Sequence, residues 1–157
     1  MAMILVARVD SRLIHGQIIT SWVPKVAARG LLVVDKQAAQ DPFEKKMLRL
    51  AADSLKVAVC KPEEVMMGLA VFKDEGIIVL FRNIESAWHT YDAGMRFERL
   101  ILGNCHFSSG KSKITDSVYL SEHEKKIIGR FAAHGVEVLC QALPCDAPVK
   151  IPTGSEP

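Results

Sequence analysis

The chain has 157 residues, with 20 Lys+Arg against 18 Asp+Glu and a formal net charge of +2. At 49% hydrophobic and 24% charged residues it has the make-up of one globular domain with a real core. That composition excludes a disordered chain, a collagen-like repeat and a disulfide-stapled miniprotein, and a pI near 8.4 is too mild to point to nucleic acid.

In chain order, the apolar run from Met3 to Val9 predicts a strand buried on both faces. It meets Arg8 and Asp10 too early to be a signal peptide. Ile18, Ile19, Trp22, Val23 and Val26 mark one face of a helix, with Gly30 expected in the left-handed position after it. Leu31 to Val34 predicts the second strand. Asp41-Pro42-Phe43-Glu44 supplies an N-cap, a proline at the first helical position and an acid, opening a helix whose face is Phe43, Met47, Leu50 and Ala51. Leu55 to Val59 predicts a third strand, and Glu63-Glu64 after Pro62 suits the first turn of a helix.

Ile77 to Phe81 reads as a strand, followed by a helix after Asn83 that carries Trp88 and His89. Leu100 to Leu102 is another strand. From Ser108 to Tyr119 the pattern breaks into a loop with a short hairpin-like strand. Ser121-Glu122-His123-Glu124 is a capping box for a helix faced by Ile127, Ile128 and Phe131, with Gly135 left-handed at its end, and Val136 to Leu139 is the last predicted strand. This alternation predicts an α/β fold: a single domain over 1–151 with an open, mostly parallel central sheet and helices on both faces. A frayed tail is expected over 152–157.

No run approaches the roughly 18 apolar residues of a membrane span, so a cytoplasmic protein is expected. Cys60, Cys105, Cys140 and Cys145 form no zinc-type spacing and read as reduced thiols. No G-x-G-x-x-G and no G-x-x-x-x-G-K-[ST] occurs, and neither a metal nor another cofactor is expected.

Ligands of parallel sheets bind beyond the carboxyl ends of the strands. The first such end carries Arg8-Val9-Asp10-Ser11-Arg12-Leu13-Ile14-His15-Gly16-Gln17, the densest set of reactive side chains in the chain. His15 falls at the start of a predicted helix, where free N–H groups favour an anion, and arginines fork onto phosphate oxygens. The segment reads as an anion pocket around a histidine able to attack phosphorus. Arg8 and Arg12 would stabilise charge, and Asp10 would orient the arginines or the ring. Gly16 would leave room for phosphate against backbone, and Gln17 would donate a hydrogen bond.

The run R-V-D-S-R-L-I-H-G-Q resembles the active-site signature of the IIB subunits of the mannose/fructose/sorbose family of the phosphotransferase system. The similarity extends from about Ile4 to about Val149. Leu32-Val33-Val34-Asp35, with Ala38, Ala39, Asp41-Pro42-Phe43 and Lys45-Lys46, resembles the family's second strand and helix. Ile78-Val79-Leu80-Phe81-Arg82-Asn83 resembles its fourth strand and following loop, and Leu102-Gly103-Asn104 with Gly110-Lys111 its Gly-rich segment. The chain departs from the family at Asn104, where a second glycine is common, and at Asp53, where proline is common.

The resemblance implies that His15 accepts a phosphoryl group on its δ nitrogen from a phosphohistidine of a IIA partner. It implies transfer onward to a hexose-type sugar entering through membrane IIC and IID subunits, with which the protein would associate peripherally. Arg8, Asp10 and Arg12 would flank His15, and Phe81, Arg82 and Asn83 would lie at a neighbouring strand end. His106, Ser108, Ser109 and Lys111 either close over the pocket, with Lys111 adding positive charge, or form a solvated loop.

Trp22, Trp88 and His89 read as structural, and His123 and His134 as exposed. The alternatives are a regulatory or non-transport phosphocarrier and an anion-binding domain on the same fold. A phosphohistidine phosphatase or mutase would carry Arg-His-Gly, but Ile14 precedes His15.

Overall fold

A computed structural model describes residues 1–152 of the chain, so all but the first residue of the expected tail lies outside the described residues. β1 (Met3–Asp10) leads into a π-helical turn (Ile18–Trp22) and α1 (Val23–Val26). β2 (Gly30–Val34), α2 (Lys36–Gln40), α3 (Pro42–Ala51) and β3 (Lys56–Cys60) follow. A 3₁₀ turn (Pro62–Glu64) opens α4 (Val65–Ala70), then come β4 (Gly76–Phe81), α5 (Ile84–Asp92) and β5 (Arg99–Asn104). The chain continues with the small pair β6 (Ser112–Lys113) and β7 (Tyr119–Leu120), α6 (Glu122–Ala133), β8 (Glu137–Cys140) and β9 (Val149–Lys150).

The main sheet has the order β3-β2-β4-β1-β5-β8-β9, parallel except for the short β9 at its edge. The predicted strands are all present, because parallel strands covered on both faces must be continuously apolar. β9 is the strand that sequence pattern missed, since two residues carry no periodicity. One face packs Ile18, Trp22, Ala38 and Leu48 against Leu31, Val33, Ile78 and Leu80. The other packs Val65 and Leu69 of α4, Ile84 and Tyr91 of α5, and Phe131 of α6 against Val9, Val79 and Leu102. The chain therefore leaves β1 for one face and leaves both neighbours, β4 and β5, for the other, which opens a crevice at the carboxyl end of β1.

The caps behave as their residue types require. Asp41 accepts from the N–H groups of Phe43 and Glu44, Asn83 from Ser86, and the Ser121/Glu124 capping box is complete. Gly135 is left-handed as expected. Gly30 is not: Ala27 takes the left-handed position after α1, and Gly30 already belongs to β2. Its missing side chain serves a close approach instead, since a Cβ there would fall 2.5 Å from the Phe72 ring. Asp53 adopts φ 58°, which proline cannot reach, so α3 ends here in a turn closed to proline at that position.

Trp88 sits edge-on to Phe131 at 5.1 Å and stacks near Tyr91, which makes it part of the core. The cysteines are all free. Burial pushes the thiols of Cys60 and Cys105 up to about 12 and that of Cys140 to about 11, which leaves them inert at neutral pH.

Two glycines should respond oppositely to alanine. Gly30→Ala is expected to cost about 1–3 kcal/mol through overpacking against Phe72. Gly129→Ala, inside α6 with open space around it, is expected to gain about 0.5–1 kcal/mol. Urea unfolding of both variants checks the pair.

Candidate active site

The site is built on the last residue of β1. Asp10 pairs with Asn104 across a slip in the β1/β5 register, with Gly103 as the extra residue, the kind of bulge that re-aims side chains beside functional sites. The turn that follows is tied to Asn104 twice: the Ser11 N–H donates to its carbonyl at 2.9 Å, and the Ser11 hydroxyl donates to its Oδ1 at 2.6 Å. Leu13 takes φ 58°, a strained setting for a large side chain, and is held there by burial among Ile14, Ile18 and Trp22. His15 then closes the turn, its carbonyl accepting from the N–H groups of Ile18 and Ile19 at the start of the π turn. π turns inside helices are frequent at functional sites.

The Asp10 carboxylate organises everything around it and is wholly shielded from water. Its Oδ1 accepts from the Arg12 backbone N–H at 3.0 Å and from Arg12 Nε at 3.1 Å. Its Oδ2 accepts from His15 Nε2 at 2.9 Å and Arg12 Nη2 at 3.3 Å, and Arg8 Nη2 lies at 3.5 Å. Burial alone would raise this carboxyl, but the hydrogen bonds from His15 and Arg12 outweigh it and hold the group below its ordinary value.

An ionised carboxylate only accepts hydrogen bonds, so His15 Nε2 must carry the proton that it donates to Asp10. In the neutral ring Nδ1 then keeps its lone pair, and it has no hydrogen-bond partner among the described residues. The His15 side chain is 14% exposed, with Arg12 at 43% beside it. Arg12 also donates to Gln17 at 3.3 Å, while Gly16 is exposed with open space about it. The arrangement offers a ring nitrogen with a free lone pair next to a partly exposed positive charge, at the start of a helix.

The structure gathers Asp10, Arg12, His15, Gly16 and Gln17. Phe81, Arg82 and Asn83 lie at the end of the neighbouring β4 as expected, but their side chains, like those of Arg8 and Lys111, are engaged elsewhere. Arg8 does not line an anion pocket: it is fully buried and its guanidinium is spent on the carbonyls of Gln141 and Ala142, at 2.8 and 2.9 Å. Phe81 is also fully buried and faces the core near Phe97, because strand alternation turns it away from the crevice. Arg82 is committed to Asp35, at 3.0 and 2.9 Å, and to Glu44, and their charge outweighs the effect of its burial and raises its pKa. Asn83 caps α5. These two residues border a cleft of about 440 Å³ with Asp35, Lys36 and Asp41, at the ends of β2 and β4. Lys111 is paired with Glu124 at 3.0 Å, since the capping-box acid of α6 is the nearer counter-ion.

Trp22 is structural as expected, packed in the core, but sequence reasoning missed that its Nε1 donates to the Ala142 carbonyl at 3.0 Å, and it missed the Gln141–Ala142 segment itself. Gly103 was visible as part of a Gly-rich segment, but its purpose was not. No group of three or more His, Cys, Asp or Glu is placed to hold a metal among the described residues, and no helix there is long and apolar enough to cross a membrane.

Residues 4–153 match the family of sorbose-subfamily IIB components of the PTS system. The chain belongs to this family, and it is a IIB component serving phosphoryl transfer to sugar. It is 30% identical over 147 residues to the fructose-specific EIIB component of Bacillus subtilis, covering 92% of this chain and 90% of that one. It is 28% identical over 153 residues to the N-acetylgalactosamine-specific IIB component 1 of Escherichia coli, covering 95% and 96%. The crystal structure of manxB from Thermoanaerobacter tengcongensis has the same single-domain α/β fold, with a TM-score of 0.88 and 29% identity, covering 98% of this chain and 95% of that one.

A carboxyl whose pKa falls on folding contributes stability above its unfolded value, and that contribution is lost as the pH drops through the folded value. Asp10→Asn is therefore expected to flatten the acid limb of the stability curve below about pH 4. Urea midpoints across acid pH check this, and an unchanged limb would contradict the role given to Asp10.

Proposed function

We propose that His15 is the phosphocarrier residue and that Nδ1 is the atom that carries the group. The observation behind this reading is the 2.9 Å bond from His15 Nε2 to the buried Asp10, which commits the tautomer and leaves Nδ1 as the nucleophile. In the first step the Nδ1 lone pair attacks the phosphorus of a phosphohistidine on a IIA partner. The donor's P–N bond breaks and its imidazole leaves with the electron pair. In the second step a hydroxyl oxygen of a hexose-type sugar attacks the same phosphorus, the bond to Nδ1 breaks, and the hydroxyl proton is released. Arg12 meets the charge on the phosphoryl oxygens, with Gln17 and backbone N–H groups at the start of the helix beside it. The phosphoryl group comes from IIA and goes to a sugar that enters through membrane IIC and IID subunits, so the protein works in the cytoplasm and associates peripherally with the membrane.

Incubation with phosphorylated IIA is expected to give a single acid-labile phosphoryl adduct, seen by intact mass, on wild type and not on His15→Ala. The variant should stay folded at some cost in stability, because Asp10 loses one donor but keeps those of Arg12 on both oxygens, and His15 adds little core packing. NMR of the adduct should place phosphorus on Nδ1. Arg12→Ala should slow transfer by about a hundredfold. An adduct of equal extent on His15→Ala would overturn the assignment.

A further inference from the structure

Arg8 is the member of the motif for which the transfer reaction has no direct use. It lies in β1 at 0% exposure, with Nη1 on the Gln141 carbonyl, Nη2 on the Ala142 carbonyl, and Asp10 Oδ2 at 3.5 Å from Nη2. Its guanidinium lies 4.8 Å from the centre of the Trp22 ring, and Trp22 Nε1–H donates to the same Ala142 carbonyl. Gly103 makes the space: a Cβ there would fall 1.9 Å from Arg8 Nη2 and 2.0 Å from Cζ. Glycine is needed at this point for close approach, not for a left-handed backbone. The placement is costly. Burial lowers Arg8 to about 10, which still leaves it charged at neutral pH, and its buried Nε–H has no partner among the described residues. Arg12 is 43% exposed and, among the described residues, its side chain is held by Asp10 and Gln17 alone.

We propose that Arg8 is a positioning residue: it is the fixed counter-charge of Asp10, which lets Arg12 turn toward a phosphoryl group while Asp10 keeps its hold on His15 Nε2–H. The role of Arg12 in this statement rests on the phosphocarrier reading; the control of the His15 tautomer rests on the geometry alone. With Arg12 as the only cation, its turning outward would strip Asp10 of the bonds from Nε and Nη2. A buried carboxylate would then face one imidazole N–H and one backbone N–H without a cation, which is strongly unfavourable. Asp10 would hold Arg12 back or take up a proton. A protonated Asp10 can donate to Nε2, which shifts the ring proton to Nδ1 and moves the reactive lone pair to the wrong nitrogen. The carbonyls of Gln141 and Ala142 prevent Arg8 itself from following the phosphoryl group.

The test uses ¹⁵N-histidine NMR of the full chain at neutral pH, without any donor, on wild type, Arg8→Met, Arg8→Lys and Gly103→Ala. Wild type is expected to show the Nε2-protonated tautomer. Arg8→Met should show a clear population of the Nδ1-protonated form, and Arg8→Lys, which keeps the charge, should lie nearer wild type. Gly103→Ala keeps Arg8 but displaces it, and should move the tautomer in the same direction as Arg8→Met.

With phosphorylated IIA, Arg8→Met should lose about tenfold or more in transfer rate and carry part of its phosphoryl group on Nε2. A folded Arg8→Met with the wild-type tautomer and a rate within about twofold of wild type would overturn the proposal. If Arg8→Met does not fold, Gly103→Ala decides, and a wild-type tautomer there overturns it equally. A wild-type protein that takes no phosphoryl group would defeat the phosphocarrier reading and leave the tautomer result standing.

Discussion

The site depends on one carboxylate that has no access to water. An ionised Asp10 at 0% exposure is tolerable only if every lone pair is met by a donor and the charge by a cation. Those requirements explain why two arginines, a histidine and a turn N–H converge on it. They also explain the direction of its pKa, because the hydrogen bonds from His15 and Arg12 act against burial and prevail. The cost of burial is offset by specificity at the neighbouring ring. A carboxylate at the surface would share its hydrogen bonds with water and leave the His15 tautomer loosely set.

The sheet supplies the place where such a carboxylate can be held. β1 lies in the middle of the main sheet between β4 and β5, and its last residue stands opposite Asn104 of β5, just past the end of β4. Because the chain departs from β1 toward one face and from its neighbours toward the other, the turn after Asp10 stands free at the crevice. The bulge at Gly103 then sets Asn104 opposite Asp10, where it grips Ser11, and gives the Arg8 guanidinium its space. One irregularity in β5 thereby serves both the buried and the exposed side of the site. At the next strand end, Arg82 with Asp35 and Glu44 forms a second ion-pair group. Its work is to join β4 to the starts of α2 and α3, since Asp35 also caps α2 through the Ala38 N–H.

Comparison with relatives fits this division. Proteins named for fructose and for N-acetylgalactosamine share a similar level of identity with this chain, so overall likeness follows the fold and the transfer chemistry and not one sugar. The buried arrangement around Asp10 sets the ring of His15, which in the proposed reaction is the part of the chemistry that does not depend on the sugar.

The sequence by itself determined the parallel α/β architecture, the caps at Asp41, Asn83 and Ser121, and the segment on which the candidate site is built. Apolar runs, cap residues and the Arg8–Gln17 cluster are local signals, each written within about ten residues and each imposed by local physics. Only the tertiary structure decided which of the clustered residues act at the surface and which lie beneath it. Arg8 and Arg12 are the same residue type two places on either side of Asp10, and local pattern cannot separate them. Arg8 is buried because carbonyls 133 and 134 residues further along the chain come to lie against it. Phe81, Lys111, Gly30 and Gly103 were reassigned for the same reason, by Phe97, Glu124, Phe72 and Arg8 respectively. Burial and close approach are properties of chain segments meeting in space, and no local periodicity encodes the partner.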